Sequence, residues 1–180
     1  MRLTLEEGRP LYIQGRPQKE IRTYELLEKL QIPFQRIDHE PMYTIDACGE
    51  VDRVLGTEIC KNLFLCNSRG TEYYLLLLPG RKKFITKEVS GKLGTTRLSF
   101  AGEAQMAEYL NLTPGSVSVM GLMNDTGCRV QLVIDREVKE QPSFACHPCI
   151  NTSSIRMSTA DLLEKFLPAV RHTPRMVKLE

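Results

Sequence analysis

Apolar and polar positions along this chain follow two rhythms, and the rhythm switches repeatedly. Ile21, Tyr24, Leu27 and Leu30 fall on one stripe of a helix, which predicts a helix over 19–30. Residues 33–38 read as a strand. Thr44 stands where an N-cap would, ahead of a helix over 45–55 that Gly56 closes. The β-rich runs 58–66 and 72–78, joined by Asn67-Ser68-Arg69-Gly70, predict paired strands. A helix over 86–93 ends at Gly94, a strand covers 97–100, and a helix covers 102–110. After the Pro114-Gly115 turn, Ser116-Val117-Ser118-Val119 alternates small polar and apolar residues. That predicts a short half-buried strand over 116–120, and Gly121 then allows close backbone approach. A further strand spans 129–138. Ser158 and Asp161 form a capping-box pattern for the last helix.

Helices and strands interleave, and hairpin turns predominate late. The fold class is therefore α+β, with an antiparallel-rich mixed sheet rather than a doubly wound parallel one. Residues 3–16 and 171–175 read as appendages. The expected division is an extension at 1–18, one domain at 19–168 and a tail at 169–180. A chain of 180 residues fits one domain with a real core.

Composition narrows the function classes. A net charge of +2 is not the profile of a tight, non-specific nucleic-acid binder. A transient nucleic-acid contact needs only one local basic patch. Arg81-Lys82-Lys83, with Lys87 and Lys92, could supply it or could be a solvated surface turn. No apolar stretch approaches transmembrane length, so no membrane partner is expected. The first residues lack a signal-peptide apolar run, and six cysteines in so long a chain do not look like a disulfide framework. The expected location is the cytoplasm. Cys146-His147-Pro148-Cys149 invites a metal reading, but a structural zinc site needs four ligands. Cys60 and Cys66, the only second pair, are widely spaced, so buried thiols with no metal and no cofactor are expected.

Three segments carry candidate chemistry. His147 precedes Pro148, which pushes its backbone toward an extended form, and Pro148 ends a strand or marks an edge. His147, Asn151 and Thr152 at a strand end are placed to meet a ligand, or to satisfy their own turn. Lys61 and Asn62 sit inside the apolar run 58–66. A lysine there either guards an edge or points into a cleft as a fixed cation for a phosphate or carbonyl oxygen. The third segment, over 113–125, is the Pro-Gly turn with the alternating stretch that follows it.

Together with Lys92-Leu93-Gly94, Arg97-Leu98-Ser99-Phe100-Ala101, Leu122-Met123-Asn124-Asp125 and the helix at 158–167, these motifs occur in an order that resembles the YbaK/ProX family. Its members are relatives of the editing domain of bacterial prolyl-tRNA synthetase and hydrolyse mischarged aminoacyl-tRNA. The likeness runs from 21 to 167 and is nearest to the branch that deacylates alanyl-tRNA(Pro), known as ProX or PrdX. One departure stands out. The family has a proline four positions after the loop glycine, and here Gly115 is followed by Val119, then by Met120 where the branch often has Phe. Valine restores a backbone donor, and methionine replaces a rigid wall by an adaptable one, which bears on amino-acid specificity.

The resemblance implies a curved, partly closed, largely antiparallel mixed sheet flanked by helices. It implies hydrolysis without a protein nucleophile, with the adenosine 2′-hydroxyl helping to activate water. Lys61 would be the catalytic cation beside the terminal adenosine. Backbone donors of Gly115, Ser116, Val117, Ser118 and Val119, with Gly121 behind them, would hold the carbonyl oxygen. His147 would be a pocket wall or hydrogen-bond partner, and Asn62, Asn151 and Thr152 would orient the substrate. A proline-sized synthetase pocket rejects alanine weakly, so a second, smaller pocket would remove the error. The implied partners are the acceptor end of mischarged tRNA(Pro) and prolyl-tRNA synthetase. Two rivals stand beside this reading. One is a tRNA-binding or regulatory module of the same fold without turnover, which Val119 and Met120 motivate. The other is a metal-binding structural protein built on Cys146, Cys149 and two more thiols.

Overall fold

Tyr73–Leu78 (β4) is apolar throughout because both of its faces are covered. Leu75 and Leu77 face one hydrophobic cluster with Phe64, Leu132 and Met106. Tyr74, Leu76 and Leu78 face a second one with Val89, Leu93 and Val133. Leu75, Leu76, Leu77 and Leu78 are fully buried, and each such leucine contributes on the order of 2 kcal/mol. The computed structural model describes residues 2–42 and 45–180.

β4 is the centre of a five-stranded sheet. Lys61–Cys66 (β3) pairs with it antiparallel, and Ser99–Phe100 (β5) extends that edge. Val130–Asp135 (β6) runs parallel to β4, and Arg175–Val177 (β9) runs parallel to β6. A second, antiparallel sheet contains Glu6–Glu7 (β1), Gln35–Asp38 (β2), Ser153–Ser158 (β8) and Ser143–Cys146 (β7), in the order β1-β2-β8-β7. The expected mixed, partly closed sheet is thus two sheets. They join where Ile59 bridges Ala145 and the Cys60 amide donates to the Ala145 carbonyl at 3.1 Å. This junction sets the start of β3 beside the end of β7, so Lys61 and His147 become neighbours.

Helices flank the sheets. Gln18–Lys29 (α1) buries Ile21, Tyr24 and Leu27, the stripe its periodicity announces. Ile45–Leu55 (α2) packs Val51 and Leu55 against Ile37. Thr44, the expected cap, lies outside the described residues. Thr86–Leu93 (α3) ends at the left-handed Gly94, and Glu103–Leu110 (α4) ends at Asn111, also left-handed.

Several expectations need correction. No strand forms over 116–120. Ser116 and Ser118 are as buried as Val119, so the alternation is not one wet face and one dry face. Instead Val119–Asn124 is a 3-10 helix whose cap, Ser118, accepts from the Met120 amide at 3.1 Å. The strand expected over 129–138 stops at Asp135, whose carboxylate accepts from the Glu137 amide at 3.0 Å and starts Arg136–Glu140 (α5). β8 has no sequence announcement, because its polar Ser153 and Ser154 are fully buried in mid-sheet. The last helix is three pieces: Thr159–Asp161 (α6), a π-turn at Leu162–Phe166, and Leu167–Ala169 (α7). Ser158 caps it through the Asp161 amide, while the Asp161 carboxylate reaches Lys165 at 3.3 Å. Finally, both end segments add edge strands instead of hanging free, and Val177 and Leu179 are buried.

Candidate active site

The sheet junction opens onto a cavity of about 380 Å³. Lys61 and Asn62 from β3, Pro114, Gly115 and Val117 from the turn loop, and His147 from the end of β7 line it. Ile59, Phe64, Ala101 and Met106 make its apolar wall. A second hollow of about 580 Å³ adjoins it, shares Lys61, Gly115 and His147, and adds Asn151 and the α2 residues Gly49 and Asp52. A mostly apolar concavity with a few convergent polar groups is the usual form of a small-ligand site.

Successive strand residues point to opposite faces, so Lys61 and Asn62 leave β3 in different directions. The Lys61 ammonium donates to the backbone carbonyl of Lys82. Asn62 is held at both ends of its carboxamide: its Nδ2 donates to the Cys60 carbonyl at 2.9 Å and its Oδ1 accepts from the Val119 amide at 2.8 Å. Asn62 therefore places the loop.

The loop begins as a Pro-Gly turn closed by the Ser116 amide donating to the Thr113 carbonyl at 3.1 Å. Gly115 has φ +87, a left-handed conformation that favours glycine, and a side chain there would meet Asn151. Further on, Ser118 donates its hydroxyl to the His147 carbonyl at 2.6 Å. The amides of Ser116, Val119, Met120 and Gly121 are all taken within the protein. Those of Gly115, Val117 and Ser118 have no internal acceptor among the described residues, and of these Gly115 and Val117 line the cavity, where a ligand oxygen could use them.

Of the residues singled out from sequence, Lys61, Asn62, Gly115, Val117, His147 and Asn151 border the two hollows. Ser116, Ser118, Val119, Gly121 and Thr152 border neither. Ser116 and Ser118 hold the loop, and Val119 is buried in the core. Gly121 packs so closely that an added Cβ would lie 2.7 Å from Leu112. Thr152 offers its carbonyl to the His39 amide at 3.0 Å. Met106 and Asp52 carry no signal in the sequence, since only the closure of the two sheets brings them to the site.

His147 is set by its surroundings. Its Nδ1 lies 2.9 Å from the Ser153 carbonyl, which can only accept, so Nδ1 carries the hydrogen and Nε2 is an acceptor. Ser154 links the pair of histidines: its hydroxyl lies 2.8 Å from His39 Nε2 and 3.4 Å from His147 Nδ1. Burial, aided by His39 and opposed by the Ser153 carbonyl, holds the His147 pKa below the ordinary imidazole value. The ring is neutral near pH 7. Asp52 moves the other way. Burial and the nearby Glu58 raise its pKa, although the Ile59 amide donates to it at 2.9 Å.

The expected basic patch is partly consumed. Arg81 pairs with Glu137 and with Glu58, and Lys82 pairs with Asp135 at 2.9 Å and Glu137 at 2.7 Å. Lys83, Lys87 and Lys92 are exposed. Burial pushes the thiols of Cys146 and Cys149 up to about 12 and about 11, as for inert core cysteines. Among the described residues, no three His, Cys, Asp or Glu side chains gather as metal ligands do, and no helix is long and apolar enough to cross a membrane.

Known proteins resemble the chain closely. Residues 39–165 match the model of the aminoacyl-tRNA editing domain. The chain is 35% identical over 153 residues to the prolyl-tRNA editing protein ProX of Acetoanaerobium sticklandii, covering 85% of this chain and 93% of that protein. It is 29% identical over 158 residues to the prolyl-tRNA synthetase associated domain-containing protein 1 of Danio rerio, covering 87% and 85%. The crystal structure of a candidate trans-editing enzyme for prolyl tRNA synthetase matches with a TM-score of 0.67 at 15% identity, over 92% of this chain and 100% of the other. At that identity the likeness is one of fold.

Proposed function

Since the chain belongs to the aminoacyl-tRNA editing domain family, we propose that it is a trans-editing hydrolase that cleaves the ester of mischarged alanyl-tRNA(Pro). Its place is the cytoplasm, where it meets the tRNA acceptor end and works beside prolyl-tRNA synthetase. One observation carries the reading. Lys61 and the loop of Gly115 and Val117, far apart in the chain, line a single cavity with a neutral histidine.

The chemistry follows from that arrangement. Water, aided by the substrate's own 2′-hydroxyl, attacks the carbonyl carbon. The oxyanion that forms takes the uncommitted amides of Gly115 and Val117, and each preorganised donor of this kind contributes on the order of 3 kcal/mol to the transition state. Lys61 holds the terminal ribose and phosphate side and supplies positive potential. His147 Nε2 accepts from a donor of the aminoacyl-ribose. The C–O bond to the 3′-oxygen then breaks, and that oxygen leaves with the proton given up by water. The apolar wall receives the small side chain.

Deacylation of alanyl-, cysteinyl- and prolyl-tRNA(Pro) tests this directly. Alanyl-tRNA(Pro) is expected to decay fastest and prolyl-tRNA(Pro) slowest. Decay of all three at the buffer rate would end the enzymatic reading.

A further inference from the structure

Phe100 is a large apolar side chain left 65% exposed on the rim of the cavity. It does not stand alone. The ring of Phe84 lies 5.9 Å from it, and Ile85 beside Phe84 is 48% exposed. An isolated exposed apolar residue needs no explanation, but a cluster at a cavity mouth does.

The charge around this cluster is one-sided. Residues 81–103 hold six Lys or Arg and two Glu. Arg81 and Lys82 are neutralised by Glu58, Asp135 and Glu137. Lys83, Lys87 and Arg97 are exposed and have no carboxylate partner among the described residues. The nearer acid, Glu88, accepts from the Glu180 amide. Lys83 adjoins Phe84 in sequence, Lys87 lies in the first turn of α3, and Arg97 comes just before β5. An exposed aromatic ring, here Phe100 packed on the half-buried Phe84, beside unpaired cations is what single-stranded nucleic acid recognises: a base stacks on the ring and phosphates meet the cations.

We propose that Phe100, backed by Phe84, is a stacking platform for an unpaired base at the 3′ end of the tRNA, and that Lys83, Lys87 and Arg97 hold the adjoining phosphates. The surface would then deliver the terminal nucleotide into the cavity at Lys61. This rests on the reading of the cavity as an aminoacyl-ribose site, and it adds residues that position substrate without touching the ester.

The test separates the two claims. The chain has no tryptophan, so Phe100→Trp creates a single reporter. Its emission is expected to be quenched by uncharged tRNA and not by tRNA trimmed of its unpaired 3′ nucleotides. Equal quenching by both would overturn the platform. In deacylation, Phe100→Ala is expected to raise KM by about five- to a hundredfold with kcat little changed, and Phe100→Trp to restore it. Unchanged KM in Phe100→Ala would also overturn the proposal. Lys83→Ala with Lys87→Ala should flatten the dependence of log KM on log salt by about 0.7 for each phosphate no longer neutralised. Base-specific quenching without any deacylation would refute the hydrolase reading and leave the platform standing.

Discussion

Ser118 donates its hydroxyl to the His147 carbonyl at 2.6 Å and accepts the Met120 amide at 3.1 Å. One buried side chain thus clamps the turn loop to the strand end that carries the histidine. Two walls of the cavity are held at a fixed separation by an oxygen that does not border it.

Ser118→Ala removes both bonds and leaves the His147 carbonyl unpaired in the interior. The expected cost is about 2 kcal/mol, seen as a Tm lower by about 4–8 °C. Deacylation should fall along with stability. An unchanged Tm would show that the clamp is not needed.

Lys61→Ala should leave stability within about 1 kcal/mol, because among the described residues the ammonium makes only one internal bond, to the Lys82 carbonyl. The deacylation rate should fall by about a hundredfold, the cost of one electrostatic donor. Lys61→Arg should recover part of it. Full activity in a folded Lys61→Ala would remove this residue from the mechanism.

The pH dependence follows from His147. Its pKa is lower in the folded protein than in the unfolded chain, chiefly through burial, so folding disfavours its protonated form. The stability it contributes is fully present above the unfolded value of about 6.5 and is lost as pH falls through the depressed folded value. Tm and deacylation should both decline on acidification below about pH 6.5. In His147→Gln both curves should be flatter there. Parallel curves for the two proteins would place the titrating group elsewhere.

Much of this is legible in the sequence, and the failures share a cause. The stripe of Ile21, Tyr24 and Leu27 and the stop at Gly94 are set by neighbours within a few residues. The family motifs find the cavity-lining Lys61, Gly115 and His147. What stays hidden depends on distant partners. Asp135 takes the charge of Lys82 from 53 residues away, so the basic run looks freer than it is. Ser118 and Ser153 are buried because carbonyls of remote strands accept from them, and an alternation of polar and apolar residues then no longer reports solvent. Asn62 reads as a substrate ligand, and the sequence does not show that it also accepts the Val119 amide and so places the loop.

The cysteines give a check independent of tRNA. Cys128 is exposed, whereas Cys60, Cys146 and Cys149 are buried and their thiols are pushed up by burial. Alkylation of the native protein at pH 8, followed by peptide mass mapping, should mark Cys128 first and these three only after denaturation. Early labelling of Cys146 or Cys149 would contradict their packing, and stoichiometric zinc in the purified protein would revive a structural metal.

The strand Arg175–Val177 has a reach its position does not suggest. Lys82 donates to the carbonyl of Leu179, just past that strand, and its own carbonyl receives the Lys61 ammonium. The cation at the heart of the cavity is thus moored from behind by the outermost strand of the sheet. Edge strands are the first to peel away under mild urea. Activity would then fade while the spectroscopic signature of the folded interior is still intact.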